Sequence, residues 1–519
     1  MSAGDMRLSP WRVTVAAVVG LAVVAVAVWG GMAWKAQAQG SGVTPVFAPY
    51  VDVTATPEYA FEQAADSGAK NVVLSFVVAP RSGDCAPSWG GAYALGAAST
   101  ALDLDRRISR LRHEGGDVAV SFGGQAGTEL ALACTTTSEL ESAYAAVVSR
   151  YELSTIDLDL EGSALSDSAS IARRADAIAK LQKERRAAGH KLSVWLTLPV
   201  GTDGLQSDAQ RVVTAMLRAG VAVAGVNAMT MDYGTELSAG KTMAAIAKGS
   251  LNAVHGQLDA LYRRQGERLT SQQLWGKVGA TPMIGQNDTA GEVFTLADAR
   301  KLNAFATENG VGRMSMWSLN RDQSCSANYP DTSVVSDACS GVTQRGVSFA
   351  STLGRGFGGK IVDAAAAVAK PTAIPTQGAT ADDPATSPYP IWNDEAAYVG
   401  GSKVVWHHEV YEAKWWTQGD VPDDPTGSSQ AVPWQLIGPV LPGETPAPQP
   451  TVAAGTFPTW SPSTSYTAGA HVMLNGVAYQ AKWWTKGDDP SHQSGDPSSP
   501  SPWQPLTPQQ VAALTADAG

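Results

Sequence analysis

The chain has 519 residues, and 48 acidic against 37 basic side chains leave it a formal net charge of −11. This acidic balance argues against a nucleic-acid partner, because phosphate binding requires a basic face, whereas a neutral substrate remains compatible. Hydrophobic residues make up 44% of the chain and charged residues only 16%. The length predicts about three domains, with enough apolar material for at least one large core.

The N-terminal segment 1–40 carries an export signal. Arg7 and Arg12 precede an uncharged apolar run at 13–34, and an A-x-A tripeptide at 36–38 fits a cleavage site. A run of this length would span about 33 Å as a helix, which also suits a membrane anchor. Both interpretations remain open: a long signal peptide or a single N-terminal anchor. Either one places the rest of the chain outside the cell, secreted or tethered to the outer face of the plasma membrane.

The four cysteines agree with an exported protein, because disulfides persist in oxidising compartments. Cys325 and Cys339 are close in sequence and are predicted to pair, which leaves Cys85 to pair with Cys134. None of the four has the C-x-x-C spacing of a metal or redox site.

Short apolar runs alternate with longer amphipathic stretches throughout residues 43–354. Eight such β–α units predict an α/β fold, a (β/α)8 TIM barrel, whose functional residues lie at the C-terminal ends of the strands. A doubly wound sheet is the main competitor, but the first run lacks the Gly-rich phosphate turn that such a sheet usually carries. The amphipathic stretches include 57–67, 103–113, 138–151, 168–188 and 296–308. The apolar runs are 46–51, 72–78, 118–122, 155–160, 192–198, 226–231, 278–284 and 314–319.

The tail after the barrel is built from an internal repeat. A predicted linker at 355–387 leads to a unit at 388–438, and a Pro-rich linker at 439–456 leads to a second unit at 457–507. An Ala-Lys-Trp-Trp-Thr core and its flanking aromatic residues recur 68 positions apart.

Each unit is too short to bury all of its tryptophans. Adjacent residues of a strand point to opposite faces, so one member of each Trp-Trp pair is expected in the small core and the other on a sugar-binding surface. The predicted binding residues of the two units are Trp415, Trp416, Trp434, Trp483, Trp484 and Trp503.

The fourth apolar run carries three acids at alternating positions, Asp157, Asp159 and Glu161. On a strand all three point to one face, which is the interior of a barrel, where packing alone would not favour carboxylates. A divalent-metal cage draws on more loops and more oxygen ligands, so the pattern favours acid–base catalysis without a metal. Like charges so close are expected to titrate as a coupled unit, and Glu161, nearest the strand end, is the candidate proton donor.

This strand resembles the D-x-x-D-x-D-x-E signature of glycoside hydrolase family 18, the chitinases, with Ser154 at the first acidic position. The S-x-G-G motif of the third strand corresponds to the segment that begins at Ser121, and the Trp at the floor of the sugar site corresponds to Trp317. The chain further resembles the bacterial and archaeal branch of the family typified by a chitinase of Pyrococcus furiosus. The two tail units resemble carbohydrate-binding modules of families 5 and 12.

The sixth strand contains Met229-Thr230-Met231-Asp232-Tyr233, whereas the usual family form is M-x-Y-D or M-x-Y-N. Aligned on Met231, the motif places Tyr233 at the family's Tyr position, with Gly234 last and Asp232 before the Tyr. The resemblance therefore implies a catalytic role for Tyr233 and substrate contacts for the other three motif residues, Met229, Met231 and Asp232.

The resemblance implies a retaining mechanism in which the substrate's own 2-acetamido group is the nucleophile, with no metal or cofactor. Glu161 would protonate the glycosidic oxygen, Asp159 would hold the acetamido N–H, and Asp157 would tune Asp159. Tyr233 would orient the acetamido oxygen, and Trp317 would form the apolar floor beneath the sugar ring.

The implied partners are chitin or N-acetylglucosamine oligomers, bound by an extracellular monomer with no membrane contact beyond the possible N-terminal anchor. A non-hydrolytic chitin-binding lectin and an endo-β-N-acetylglucosaminidase acting on N-glycans remain alternatives. Ser121, Tyr50, Gln125, Gln286 and Asp288 lie near predicted strand ends, where they could contact sugar.

Overall fold

The computed structural model describes most of the chain after residue 43. The predicted leader at 1–40 and much of the predicted linker at 355–387 lie outside the described residues. None of the helices within the described part combines the length and the apolar character needed to cross a membrane. The described residues are 44–63, 69–234, 240–327, 329, 331, 334–361, 381–424, 432–446, 452, 455–474, 477–491, 493–494 and 500–516.

The first domain is a closed barrel of parallel strands, and each predicted apolar run contains one of them, which confirms the predicted fold class. Around the barrel the order is β1-β14-β11-β10-β8-β7-β6-β3, and β2 pairs with β3 to close the ring. The strands of this domain are β1 (Val46–Phe47), β2 (Tyr50–Asp52), β3 (Asn71–Val78), β4 (Ser88–Trp89), β5 (Tyr93–Ala94), β6 (Asp117–Gly123), β7 (Thr155–Asp159), β8 (Ser193–Gly201), β9 (Gly204–Leu205), β10 (Val223–Met229), β11 (Val278–Thr281), β12 (Gly285–Gln286), β13 (Val293–Phe294) and β14 (Arg313–Met314).

Helices pack around the outside of the strands, and several begin at side-chain caps that the sequence supplies. Thr136 and Glu139 form a reciprocal capping box at the start of α4, and Thr295 and Asp298 form another at α10. The helices are α1 (Leu95–Ala101), α2 (Leu104–His113), α3 (Leu130–Ala133), α4 (Thr137–Arg150), α5 (Ser163–Ser166), α6 (Ser168–Ala187), α7 (Ser207–Arg218), α8 (Met243–Arg264), α9 (Ser271–Gly276), α10 (Leu296–Asn309), α11 (Phe349–Leu353) and α12 (Pro508–Ala516), with a 3-10 turn at Leu319–Arg321.

One predicted helical stretch is wrong over its described part. Residues 57–63 form turns rather than a helix. There the carboxylates of Glu58 and Glu62 both bind the buried guanidinium of Arg107, which also lies over the ring of Phe61. The two ion pairs that compensate this buried charge outweigh the tendency of the amphipathic pattern to form a helix.

Each tail unit is a small β structure of a three-stranded antiparallel sheet and a two-stranded one. The repeat is visible in the strands, since β17 and β22 lie 68 residues apart. The strands are β15 (Ala397–Tyr398), β16 (Lys403–Trp406), β17 (Glu409–Ala413), β18 (Thr417–Gln418), β19 (Trp434–Pro439), β20 (Ser465–Tyr466), β21 (His471–Leu474), β22 (Val477–Ala481), β23 (Thr485–Lys486) and β24 (Trp503–Pro505).

Both predicted disulfides are present. Cys85 is bonded to Cys134, which joins the segment after β3 to the end of α3. Cys325 is bonded to Cys339 and closes a loop after the last barrel strand, β14. The second loop matters for function, because two of its residues, Val335 and Asp337, line the cavity described below.

Candidate active site

Strand β7 brings the alternating acids into the barrel. It pairs in parallel with β6 on one side and β8 on the other, and every residue of the strand is buried. Asp157 is fully buried and Asp159 is 5% exposed. Glu161 lies just beyond the last residue of β7 and is only partly buried. The three carboxyl groups therefore lie at increasing height, from the barrel interior to its C-terminal opening.

Asp157 is held by four donors from four other strands. Oδ2 accepts hydrogen bonds from the Tyr50 hydroxyl at 2.9 Å and from Ser121 Oγ at 2.8 Å. Oδ1 accepts from Thr197 Oγ1 at 2.8 Å and pairs with the buried Arg313 guanidinium at 2.7 Å. Both oxygens of this carboxylate are thus fully engaged as acceptors, which compensates for its burial.

A cavity of about 420 Å³ opens above this network at the C-terminal ends of the strands. Its lining is mixed in character, with carboxylates, aromatic rings and thioether groups. Of the predicted residues it brings together Glu161, Asp159, Trp317, Asp232, Met231, Met229, Tyr50, Gln125 and Asp288. Its further lining residues are Phe76, Thr197, Thr281, Met283, Val335 and Asp337.

Three aromatic rings form an apolar wall of the cavity. The rings of Phe76 and Trp317 are stacked with centroids 5.4 Å apart and planes 20° apart. Tyr50 lies against both, at 6.1 Å from Trp317 and 6.3 Å from Phe76. Such a wall presents flat apolar faces that suit the C–H surface of a sugar ring.

The cavity raises the pKa of both of its inner carboxyl groups. Burial is the main cause for Asp159, and the charges of Glu161 and Asp157 raise its pKa further, so that it lies well above its usual range. Burial also raises the pKa of Glu161 to about 7, with contributions from Asp232 and Asp288. Among the described residues, one buried oxygen of Asp159, Oδ1, has no hydrogen-bond partner, so this carboxyl group can still take part in a hydrogen bond.

The placement of Tyr233 differs from the prediction. Its side chain is in the hydrophobic core rather than in the cavity wall, and its hydroxyl accepts a hydrogen bond from Ser250 of α8 at 3.3 Å. The physical reason is local: Asp232 takes a positive φ of 50°, which interrupts the strand alternation. The buried carboxylate of Glu292 then accepts the backbone N–H groups of Tyr233 and Gly234. The prediction of a cavity-facing hydroxyl at this position is therefore wrong.

The same geometry corrects the alignment of the sixth-strand motif. With Met229 at the first position of M-x-Y-D, Met231 stands at the Tyr position and Asp232 at the Asp position. All three of these residues line the cavity.

Two other predicted substrate contacts lie elsewhere. Ser121 is fully buried beneath the cavity and contacts Asp157, so it supports a carboxylate instead of facing a ligand. Gln286 belongs to the short strand β12, and its main-chain carbonyl accepts a hydrogen bond from Arg321; its side chain is not part of the cavity lining.

Sequence reasoning missed Arg313, Thr197 and Thr281. Each is a polar residue within or beside an apolar barrel run, and each is at most 2% exposed. Arg313 alternates with Ser315 and Trp317, which is the period-two pattern that had singled out the acids of β7. The same test applied to the eighth run would have found the ion-pair partner of Asp157.

The tail tryptophans divide into core and surface. Trp434 and Trp503 are 5% and 0% exposed, and each indole N–H donates to a main-chain carbonyl, of Asp420 and of Asp488, at 2.8 Å. They hold the small cores together, so the prediction that they bind sugar directly is wrong. The exposed rings are Trp415 at 42%, Trp483 at 43% and Trp484 at 61%, while Trp416 is half-buried.

Among the described residues, no group of three or more His, Cys, Asp and Glu side chains has the geometry of a metal site.

Two curated proteins are similar to about half of this chain. The chain is 34% identical over 285 residues to a probable bifunctional chitinase/lysozyme of Escherichia coli strain K12, covering 53% of this chain and 31% of that relative. It is 33% identical over 285 residues to endochitinase 11 of Metarhizium anisopliae, covering 53% of this chain and 52% of that relative. The chain thus spans between 31% and 52% of these curated relatives.

Among solved structures, the catalytic domain of a hyperthermophilic chitinase from Pyrococcus furiosus superposes with a TM-score of 0.52 at 28% identity. The match covers 62% of this chain and 99% of that domain. Residues 459–504 match the family model of carbohydrate-binding module family 5/12. The chain is therefore similar to chitinases of glycoside hydrolase family 18, and residues 459–504 are similar to carbohydrate-binding modules of family 5/12.

Proposed function

We propose that the chain is a chitinase that hydrolyses β-1,4 bonds between N-acetylglucosamine units with retention of configuration. The observation that carries this proposal is the cavity that Glu161 and Asp159 line together with the aromatic wall around Trp317. In this cavity, a carboxylic acid that keeps its proton up to about pH 7 is combined with an apolar aromatic surface that suits a sugar ring.

In this mechanism Glu161 donates its proton to the glycosidic oxygen as the bond to the anomeric carbon breaks. The carbonyl oxygen of the 2-acetamido group attacks the anomeric carbon from the opposite face and forms an oxazolinium ion. A carboxyl oxygen of Asp159 accepts the acetamido N–H, and in its ionised form Asp159 offsets the positive charge that develops. Water then opens the oxazolinium ion, with Glu161 as the base that takes up the water proton.

Asp157 is a positioning residue in this scheme. It takes four hydrogen bonds from four other strands and is not part of the cavity lining, so it supplies negative charge beneath Asp159 without contacting the sugar. The Tyr233 hydroxyl has no part in this scheme, because Met231 stands at the family's Tyr position and Tyr233 turns away from the cavity to Ser250.

The proposed domain boundaries are 43–354 for the catalytic barrel and 388–438 and 457–507 for two chitin-binding modules. The disulfides and the carbohydrate-binding module are consistent with an extracellular protein. Its secretion, or its attachment through residues 13–34, and its monomeric state are part of the proposal.

The decisive experiment is a time course on chitohexaose with analysis of the product anomers. The proposal expects shorter N-acetylglucosamine oligomers with the β anomer formed first, and no products from cellulose or fully deacetylated chitosan, which lack the attacking amide. Hydrolysis of those two polymers at the rate of chitin would contradict the substrate-assisted mechanism. Cleavage of N-glycan cores in preference to chitohexaose would favour the endo-β-N-acetylglucosaminidase alternative.

A single variant separates the enzyme from a lectin. Glu161→Gln keeps the size and the hydrogen-bonding ability of the side chain but removes the transferable proton, so turnover is expected to fall by roughly 10²–10⁴-fold. Binding to solid chitin is expected to persist. If the parent chain binds chitin but releases no sugar from any N-acetylglucosamine polymer, it is a lectin.

A further inference from the structure

The first tail unit, residues 388–438, is attached to the barrel through a buried network of charges. Asp103, the residue that precedes α2, is 2% exposed. Its carboxylate accepts a hydrogen bond from the Tyr389 hydroxyl at 3.0 Å and forms an ion pair with Lys403 of β16. Both partners belong to the tail unit, so this carboxylate is a point of contact between the two domains.

Two arginines of α2 extend the contact along the helix. Arg106 donates to the carboxylate of Glu444 at 2.6 Å and to the main-chain carbonyl of Pro439, and Arg110 donates to the main-chain carbonyl of Leu436. The backbone of β19 lies directly on α2, since a Cβ atom added at Gly438 would be 2.9 Å from the carbonyl oxygen of Arg106. The helix and the strand are therefore in close contact at this point, where the position of Gly438 leaves no room for a larger side chain.

The second unit has the same strands but lacks the residues that make this contact. At the 68-residue offset, Tyr389 becomes Phe457, Lys403 becomes His471, Glu409 becomes Val477 and Glu412 becomes Gln480. Each of these four ionisable side chains is thus replaced by an apolar, an uncharged or a more weakly basic one.

The corresponding face of the second unit is covered from within its own sequence. There Ala478 packs with Leu506 and with Val511 of α12, and Phe457 joins the same cluster. The same face that meets α2 of the barrel in the first unit is covered by the terminal helix in the second. The two repeats have therefore diverged at this face.

The attachment directs the first unit toward the catalytic side of the barrel. Glu58 follows β2, so it lies at the C-terminal end of a barrel strand. Its carboxylate pairs with Arg107 of α2 at 3.2 Å. Lys403 pairs both with Asp103 at the start of α2 and, at 3.8 Å, with Glu412 of β17, so the end of β17 lies near the start of this helix. Trp415 follows Glu412 by three residues, a reach of about 10 Å.

We infer that the two modules have different roles: the first is a fixed part of the catalytic unit and extends its polymer-binding surface with Trp415, whereas the second binds polymer as an independent anchor. The choice of polymer rests on the proposed function; the fixed attachment does not. A fixed module holds one polymer segment in register with the cavity, whereas an anchor beyond a linker raises only the local concentration of substrate.

The test replaces the docking residues by those that the second repeat carries. The fourfold variant Tyr389→Phe, Lys403→His, Glu409→Val and Glu412→Gln uses only side chains that the same strands accept in the second module, so folding of the unit is expected to survive. Glu395→Gln, an exposed charge of the first unit, is the matched control. Amide hydrogen exchange of α2 and β19 in the full chain reports docking, and sugar release from crystalline chitin and from chitohexaose reports function.

The fourfold variant is expected to exchange amides of α2 and β19 at least about tenfold faster than the parent, because release opens both surfaces to water. Sugar release from crystalline chitin is expected to fall roughly two- to fivefold, with chitohexaose hydrolysis and the control variant unchanged. Trp415→Ala is expected to lower the crystalline-chitin rate in the parent but hardly at all in the fourfold variant, because the two changes act through one surface.

Unchanged exchange at α2 and β19 would show that the charges do not hold the module, and would overturn the inference. Faster exchange with an unchanged rate on crystalline chitin would overturn the role of the fixed module. If the parent hydrolyses neither substrate, the proposed function fails, while the exchange measurement still decides whether the module is docked.

Discussion

The pKa of Glu161 leads to a quantitative prediction for the pH dependence of hydrolysis. Burial, followed by the charges of Asp232 and Asp288, raises this pKa from its ordinary value of 4.5 to about 7. A carboxyl group with a raised pKa keeps its proton below that pH and loses it above, so general-acid catalysis is present below about pH 7 and declines as pH rises through it. With the ordinary value, only roughly 0.3% of the groups would carry a proton at pH 7, against about half here, a difference of roughly 150-fold.

The prediction is tested by removing, one at a time, the two charges that raise the pKa of Glu161. Asp232→Asn and Asp288→Asn are both expected to lower the alkaline midpoint of kcat/KM, with the larger effect from Asp232, which is the stronger of the two influences on Glu161. Both carboxylates are exposed, so solvent screening limits each shift to roughly half a pH unit or less. A shift of that size lowers the rate at pH 7 by roughly twofold and leaves the rate at pH 5 unchanged.

The assay is the pH profile of kcat/KM on a soluble oligomer, because that parameter reports the ionisation of the free enzyme. Asp208→Asn, which removes an exposed charge on α7 paired with Arg211, is the control. At 1 M salt the Debye length falls to about 3 Å, so the difference between the variants and the parent is expected to collapse. An alkaline midpoint near the ordinary value of a glutamate, or a midpoint that neither variant moves at low salt, would refute this assignment of the acid.

Three further predictions follow from the placement of single side chains. Arg313→Met leaves a fully buried carboxylate without its ion-pair partner and is expected to cost about 3–5 kcal/mol of barrel stability. Arg211→Met, in an exposed ion pair, is expected to cost less than about 1 kcal/mol. Thermal unfolding measures both losses, and equal losses would contradict the role of the buried ion pair. Tyr233→Phe is expected to change kcat/KM by less than about twofold, since a loss of roughly 10²-fold would mean that its hydroxyl does face the substrate. Trp484→Ala is expected to weaken chitin binding without unfolding the second module, whereas Trp503→Ala unfolds it; circular dichroism and pull-down on solid chitin separate the two, and reversed behaviour would contradict the assignment of surface and core.

Local patterns made the architecture predictable. The eight apolar runs are strands because an interior barrel strand, buried on both faces, needs an uninterrupted apolar segment that is visible without any long-range information. The acids of β7 stood out for the complementary reason: carboxylates at every second position of such a run conflict with burial, and that conflict marks a site. The disulfide pairs and the 68-residue repeat are likewise properties of spacing and recurrence.

The environment of each site residue depended on contacts between distant segments. Tyr233 was misplaced because a single residue with positive φ, together with a buried carboxylate 59 positions away, turned its ring out of the cavity. Arg313 was missed because its partner lies 156 positions earlier in the chain.

The two modules show the division between sequence and tertiary structure most directly. Their shared Ala-Lys-Trp-Trp-Thr core determined that both would form the same small sheets, because the aromatic core is local to each repeat. Tertiary packing alone decided that the ring of Trp503 is buried and that of Trp484 is exposed. It also decided which of the two modules packs against the barrel. Burial and charge pairing depend on which surfaces contact each other in the folded chain. The periodicity of a strand does not indicate which of its surfaces another segment will cover.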